Sequence, residues 1–319
     1  MANGPTPLIT NPSLHPPPRG AGEDVSRGLD GLNDLNCLND LNIMSLLVPF
    51  EYEFFRNGFF AAVVVGALCG FIGVYVVLRR MSYIGHGLSH AIFGGAVLSY
   101  VMNLNFFLGA GIWALLAAFL IHLISHRRWV GADAAIGVVT TSSFALGVAI
   151  VSTHRSFTRN IEAALFGNIL GITQNDLWVV ILISLAVFLA LLTIRRQLLF
   201  ATFDPEVASA YGVSTGKIDL LFVTLLAVTV LASTQILGVT LVAAAMVIPP
   251  VIARYLTQRF QTLLIVSPIL GASCGAAGMF LSFYLDISSA ATIVLTSAVL
   301  FILLELVVLA RRKMSHRLR

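Results

Sequence analysis

Residues 57–81 read NGFFAAVVVGALCGFIGVYVVLRRM, an apolar run with no charged side chain before the two arginines near its end. At about 1.5 Å per residue, a helix over 57–78 is roughly 33 Å long, enough to cross about 30 Å of hydrocarbon. The whole chain shares this character: 58% of its 319 residues are hydrophobic and 11% are charged, against about 25% charged residues in soluble domains. The composition excludes a water-soluble core and predicts an integral membrane protein.

Further apolar runs of membrane-spanning length follow the first. The candidate spans are 57–78, 82–102, 106–125, 132–152, 177–194, 217–236, 238–256, 262–284 and 288–310. Residues 220–256 are nearly continuous and are interrupted only at 233–235 and at Pro249 and Pro250. Two interpretations stay open for this stretch: either both halves cross the membrane, or one of them is re-entrant or broken. Pro249 and Pro250 are expected to mark a helix break or the transport pathway. The sequence predicts an all-α bundle of eight or nine transmembrane helices.

Positive residues cluster after every second candidate span. The clusters are Arg79-Arg80, Arg127-Arg128, Arg195-Arg196, Arg254 with Arg259, and Arg311-Arg312-Lys313. Because such clusters stay preferentially on the cytoplasmic side, one consistent winding places all of them there, together with the C-terminus. This predicts a multi-pass protein of the inner or plasma membrane, and the pattern is one of topology rather than of nucleic-acid binding.

Small residues repeat at helical spacing in the first two spans. The two sets are Ala62, Gly66 and Gly70, and Gly87, Ala91 and Gly95. Small residues four apart let helix backbones approach closely in a membrane. The pattern therefore predicts a tightly packed bundle.

The first 45 residues differ from the rest, because Pro, Gly, Asn and Asp dominate them. Such a segment buries too little apolar surface to offset its ordering entropy. We expect a disordered leader over 1–45, a membrane domain over 46–314 and a cytoplasmic tail over 315–319. Met44 is an alternative start, a hypothesis that the intact mass of natively expressed protein tests.

Two histidines lie at membrane depth near the start of the second span. His86 and His90 are four residues apart, so on a helix both imidazoles project from one face, a geometry that can hold one transition-metal ion. Neutral imidazole suits zinc, manganese, iron or copper. The alternative is that both side chains hydrogen-bond neighbouring helices, and spacing alone does not separate the two interpretations.

His122 and His126 have the same spacing but lie at a helix end beside Arg127 and Arg128. There a solvated interfacial face is the expected interpretation. Depth and glycine-rich surroundings therefore distinguish His86 and His90.

A short helix is predicted between the fifth and sixth spans. Asp204 can cap it, Pro205 and Glu206 suit its first turn, and Gly212 can end it after Ala210. A rigid helix on the cytoplasmic face could receive force from a soluble partner. An ordinary connector is the alternative.

Several catalytic motifs are absent from the sequence, namely a phosphate-binding loop, HExxH and GxSxG. The cysteines form no metal-binding pattern. No cofactor is expected on this chain, and if ATP drives the protein, a separate subunit binds it.

Five motifs occur in a familiar order over about residues 55–310. They are Leu78-Arg79-Arg80-Met81 with Gly87-Leu88-Ser89-His90-Ala91, Asp133-Ala134-Ala135-Ile136-Gly137 with Phe144-Ala145-Leu146-Gly147, Asp204-Pro205-Glu206 with Tyr211-Gly212-Val213, Gly238-Val239 through Ile248-Pro249-Pro250, and Tyr284-Leu285-Asp286 with Thr292-Ile293-Val294. With them the chain resembles the permease subunits of the ABC-3 family of zinc, manganese and iron importers.

The resemblance implies a homodimeric membrane domain of the vitamin B12 importer type. It further implies an ATPase subunit, an extracytoplasmic metal-binding protein, a transport-pathway role for His90 and an ATPase-coupling role for the helix over 204–212. The family usually has Asp where this chain has His86, which could shift preference from manganese toward zinc or leave His86 a gating role. The alternatives are a permease for an iron chelate or cobalamin-like substrate and an intramembrane metal-dependent enzyme.

Overall fold

The structure is a computed structural model that describes residues 48–102, 104–125, 131–153 and 165–317. In these ranges the regular elements are α-helices and two short 3-10 helices, Val48–Glu51 and Ile169–Gly171. The α-helices are α1 (Glu53–Leu78), α2 (Ser82–Val101), α3 (Phe106–Ser125), α4 (Ala132–Thr153), α5 (Gln174–Phe203), α6 (Pro205–Ala210), α7 (Thr215–Leu256), α8 (Phe260–Leu285) and α9 (Ser289–Arg317). The leader predicted for 1–45 lies outside the described residues and stays a prediction. α9 continues through 315–317, which were predicted to belong to the cytoplasmic tail.

The long helices run back and forth between two ends of the bundle, which we call the Arg79 end and the Asn57 end after opposite ends of α1. At the Arg79 end, Arg79 contacts Thr202 near the end of α5 and Asp219 near the start of α7. At the other end, the Asn57 side chain faces the carbonyl oxygen of Ile172, just before α5 begins. The chain therefore alternates direction as the candidate spans predicted.

α7 extends over 42 residues and would be roughly 63 Å long if it were straight. It is not straight, because Gly238 has φ 74° and ψ 162°. Asp219 lies beside Arg79 at one end of α7, and Arg254 lines a cavity with Val77 near its other end. Both ends thus return to the same part of α1, and α7 folds back at Gly238 into segments α7a (215–237) and α7b (239–256).

No break occurs at Pro249 and Pro250, where one was expected, and the reversal lies at Gly238, at the boundary between the candidate spans 217–236 and 238–256. The helix continues through both prolines, which are buried within α7b. Proline is tolerated in membrane helices when neighbouring groups satisfy the freed carbonyl oxygens. The reversal instead depends on a backbone conformation that is essentially restricted to glycine.

Seven helices in the described residues are long and apolar enough to cross a membrane. α2 is not among them, because its 20 residues include serines, glycines and two histidines. If α2 is added and α7 is counted as the two segments α7a and α7b, nine segments of the described residues pass between the two ends. This number matches the nine candidate spans.

Close helix packing is concentrated where small residues were predicted to repeat. Gly66 and Gly70 of α1 lie against the backbone of Gly271 and Ser267 of α8. The Ser267 hydroxyl also donates to the Gly70 carbonyl oxygen at 2.7 Å. In α2, a Cβ atom at Gly87 would lie 2.7 Å from Ile136 of α4. The prediction of tight packing on these faces is confirmed, and the structure supplies the partner helices.

The described arginine clusters lie toward one end of the bundle. Arg79 and Arg80 define this end, and Arg195 and Arg196 lie in the last third of α5. Val308, three residues before Arg311 in α9, lines a cavity together with Val77 of α1. Arg127 and Arg128 lie outside the described residues. The distribution is that of a protein with one cytoplasmic end.

Candidate metal site and coupling segment

His86 and His90 are held by α2, which packs against α3, α4 and α7. Glycines permit this close packing, because Gly94 of α2 faces the backbone of Ser143 and Gly147 of α4 approaches Gly94 in return. The Ser89 hydroxyl between the histidines donates to the His86 carbonyl oxygen at 2.8 Å. That bond satisfies a buried hydroxyl within its own helix. Both imidazoles are partly buried, and the His90 ring contacts α4 through Phe144.

The two imidazoles meet directly. Nε2 of His86 lies 3.1 Å from Nε2 of His90, and the rings are nearly perpendicular with centroids 4.5 Å apart. In this arrangement the two nitrogens share one proton, with one donating and the other accepting. For metal–nitrogen bonds of about 2.1 Å, the same separation corresponds to a nitrogen–metal–nitrogen angle of roughly 95°. A metal ion bound by both nitrogens would take the place of the shared proton.

Aromatic rings flank the histidine pair on both sides. The Phe144 ring of α4 lies edge to face with the His90 ring at a centroid distance of 5.0 Å. Tyr83 lies one turn before His86 at 5.7 Å. Nδ1 of His90 is buried and has no hydrogen-bond partner among the described residues. The ring of His90 is therefore oriented by packing and by His86 rather than by a second polar partner.

The pair supplies two ligands and no more. Among the described residues, no group of three or more His, Cys, Asp and Glu side chains is placed to hold a metal ion. Four-coordinate and six-coordinate ions need further ligands. The pair alone therefore does not complete the coordination of such an ion.

His122 lies apart from this site. It is near the end of α3, where it lines a cavity with Arg79, Ser125 and Asp219. Its sequence partner, His126, lies outside the described residues. His122 thus belongs to a different part of the bundle from the His86–His90 pair.

The short helix predicted after α5 is present as α6. Asp204 is its N-cap, with Oδ1 accepting from the Val207 amide at 3.0 Å, and Pro205 occupies the first turn. Gly212 has φ 81° and ends the segment. The exposed residues of the segment are Pro205, Glu206, Val207, Ser209, Ala210 and Tyr211. Ala208 is buried, so α6 rests on the bundle by one side and presents the rest of its surface outward.

Two structural relationships were not visible in the sequence. Phe144 orients His90 from another helix, although the motif that contains Phe144 was noted. Arg79 binds Thr202 and Asp219, which are more than one hundred positions away in sequence. Arginine after an apolar run signals topology, and nothing in the sequence identifies its partners.

These features define a class, a polytopic helical membrane protein with an intramembrane histidine pair and a helix presented at one end. The ABC 3 transport family model matches residues 51–308, and the chain belongs to that family. It is therefore a membrane-spanning permease subunit of an ABC transporter.

Curated relatives and a solved structure agree with this assignment. The chain is 36% identical over 253 residues to the manganese transport system membrane protein MntC of Halalkalibacterium halodurans, covering 79% of this chain and 87% of that protein. It is 36% identical over 257 residues to the chelated iron transport system membrane protein YfeC of Yersinia pestis, covering 81% and 87%. PsaBC from Streptococcus pneumoniae, solved in complex with Fab, matches with a TM-score of 0.74 and 30% identity over 82% of this chain and 95% of that chain.

Proposed function

We propose that this permease carries a divalent transition-metal ion, manganese or zinc in preference to iron, across the membrane into the cytoplasm. The observation that carries the proposal is the 3.1 Å separation of the His86 and His90 Nε2 atoms inside the bundle. Polar groups at membrane depth usually face a pathway. The manganese permease MntC, at 36% identity, supports the same class of substrate.

His86 is the residue that bears on metal preference. Imidazole is a softer ligand than carboxylate, and two imidazoles without a nearby carboxylate suit zinc better than they suit manganese. A site of two histidines and water binds moderately, which lets the ion enter and leave.

Two needs of the transporter require partner proteins: further ligands for the metal ion, and a subunit that supplies energy from ATP. A second copy of the permease would bring its own histidine pair and complete the coordination, which supports a homodimer. An ATPase subunit would bind and hydrolyse ATP, because this sequence has no phosphate-binding loop. An extracytoplasmic binding protein would deliver the metal at the Asn57 end.

α6 is the proposed docking element for the ATPase. It lies between α5 and α7 near the Arg79 end, where the arginines place the cytoplasm, and its surface from Pro205 to Tyr211 is largely exposed. ATP binding and hydrolysis would then move α6 and bias the bundle between outward-open and inward-open states.

The chelated iron protein YfeC, at 36% identity, gives a reason to test a metal chelate as the second candidate substrate. A chelate needs a wide pathway and no converging protein ligands. The His86–His90 pair favours the bare ion instead. An intramembrane enzyme would need a further ligand and a general base, and neither accompanies the pair in the described residues.

Uptake of radiolabelled zinc and manganese tests the proposal. Cells expressing the permease with its ATPase and binding protein should accumulate the metal, and His90→Ala should reduce uptake at least ten-fold. His316→Ala is the matched control, since it removes a histidine near the end of α9, and it should leave uptake unchanged. Normal uptake by well-folded His90→Ala protein would show that the pair is structural.

A further inference from the structure

Arg79 joins three helices at the end of the bundle that carries α6. Its Nε donates to the Thr202 hydroxyl of α5 at 3.0 Å, and its Nη2 forms a hydrogen-bonded ion pair with Asp219 of α7a. Its guanidinium also lies over the Phe222 ring, with Cζ 4.9 Å from the ring centroid. One planar side chain thus makes three directed contacts, which a lysine could not reproduce.

The ion pair is well shielded from water. The Arg79 side chain is 10% exposed and the Asp219 side chain 32% exposed. It is the one ion pair found in the part of the chain that the structure describes. Opposite charges held at low exposure interact more strongly than a surface pair. The contact is therefore suited to keeping α1, α5 and α7a in a fixed relation.

The position of these partners along the chain connects them to α6. Thr202 lies in the last turn of α5, directly before the Asp204 cap, and Asp219 lies in the first turns of α7a, directly after the α6 segment. Arg79 therefore holds both flanks of the helix that docks the ATPase in the proposed function.

The other side of Arg79 leads to the histidine pair. Backbone hydrogen bonds run through the turn from α1 to α2, from Arg80 to Val77 at 3.2 Å and from Met81 to Val76 at 3.0 Å. Arg80 itself has a left-handed φ of 56°. These bonds tie the start of α2, which carries His86 and His90, to the end of α1.

Open space adjoins the ion pair. A cavity of about 340 Å³ is bordered by Arg79, Asp219 and Thr202 and also by Met81 at the start of α2. The remaining walls come from α3, α4, α5 and α7a. The helices that meet here are therefore not close-packed against one another at this point.

We infer that Arg79 is a positioning residue that couples movement of α6 to the orientation of α2, and so links the ATPase to the histidine pair. This inference rests on the proposed function, since it assumes that the ATPase docks on α6. The alternative is a static contact that only stabilises the fold.

The experiment uses permease assembled with its ATPase and binding protein in liposomes. Arg79→Lys retains the positive charge but cannot bind Thr202 and Asp219 in the same geometry, and Asp219→Asn removes the ion pair with little change in size. Arg80→Lys is the matched control, because it makes the same exchange at the adjacent exposed position. Two quantities are measured, the metal ions taken up per ATP hydrolysed and the thermal stability of each purified permease.

Arg79→Lys and Asp219→Asn should both hydrolyse ATP and bind metal as the unchanged protein does, while the number of metal ions taken up per ATP hydrolysed falls at least five-fold. Arg80→Lys should keep the ratio of the unchanged protein. An unchanged ratio of ions taken up to ATP hydrolysed in Arg79→Lys and Asp219→Asn would overturn the inference. A parallel fall in stability, hydrolysis and uptake at constant ratio would also overturn it, because a static contact predicts that result.

A second readout does not depend on the transported substrate. A spin label attached through Tyr83→Cys, with Cys37→Ser, reports on α2 when ATPase and ATP are added. The label should change its mobility in otherwise unchanged permease and stay constant with Arg79→Lys. A response retained with Arg79→Lys would overturn the coupling role even if metal transport is confirmed. If the response is lost with Arg79→Lys and the otherwise unchanged permease transports neither zinc nor manganese, the coupling role is supported and the proposed substrate is rejected.

Discussion

Nε2 of His86 and Nε2 of His90 are 3.1 Å apart on one face of α2, close enough to share a proton or to bind the same ion. This distance fixes the geometry of any ion bound by both side chains. It also makes the identity of residue 86 decisive, because a different side chain there changes both the ligand atom and its reach.

His86→Asp should shift metal preference toward manganese. A carboxylate oxygen is a harder ligand than imidazole nitrogen, so zinc should lose about ten-fold in affinity relative to manganese. Competition between the two metals for purified permease measures the ratio. An unchanged ratio would mean that residue 86 does not ligate the ion.

Phe144→Leu should weaken metal binding without unfolding the permease. The Phe144 ring packs edge to face with His90 at 5.0 Å, and such aromatic pairs contribute about 0.5–1.5 kcal/mol beyond burial. Losing the ring frees the imidazole to rotate, so affinity should fall about two-fold to ten-fold. Phe93→Leu is the control, because Phe93 contacts Phe144 but neither histidine ring. Equal losses in both variants would contradict an orienting role for Phe144.

Gly66→Ala should destabilise the bundle by about 1–3 kcal/mol, the usual cost of overpacking. The added methyl group would collide with the carbonyl group of Gly271 in α8, and backbone cannot move aside as a flexible side chain can. Thermal unfolding in detergent gives the comparison. Gly137→Ala, where no atom lies within 4 Å of the new methyl group, should be neutral or slightly stabilising.

Gly238→Ala should destabilise the fold-back of α7. The backbone at φ 74° and ψ 162° belongs to a region that costs a residue with a side chain about 1–3 kcal/mol, and the methyl group would meet the backbone of Gly167. Gly111→Ala, which meets only a Leu231 methyl group at 3.2 Å, provides the control. Equal melting temperatures for the two variants would show that the turn is more adaptable than its geometry indicates.

The positions of the helices were predictable because the bilayer imposes a length on each apolar run. The first span, predicted over 57–78, is observed as Glu53–Leu78, and the eighth, predicted over 262–284, is observed as Phe260–Leu285. The histidine pair was predictable for a similar reason, since helical periodicity alone places residues 86 and 90 on one face.

What sequence reasoning missed depends on contacts between distant residues. The candidate spans 217–236 and 238–256 predicted where α7 reverses, but not the contacts that hold the reversal: the backbone at Gly238 packs on Gly167, and the Asn168 amide donates to the Gln235 carbonyl oxygen at 3.1 Å. The Arg79–Asp219 pair joins residues 140 positions apart. Local propensity carries no information about either relationship.

Asp204→Ala should weaken coupling to the ATPase while leaving the metal site intact. Asp204 Oδ1 accepts from the Val207 amide at 3.0 Å and caps a helix of only six residues, so losing the cap costs about 0.5–2 kcal/mol of α6 stability. A frayed α6 presents less of its docking surface, and ATPase affinity for the permease should fall several-fold. Asp204→Asn retains a capping oxygen and should behave as the unchanged protein does. Co-purification of the ATPase at graded concentrations measures docking, and zinc binding by the permease alone serves as the internal control. If Asp204→Asn and Asp204→Ala were equally impaired, the carboxylate charge, rather than the cap, would be the feature that the ATPase recognises.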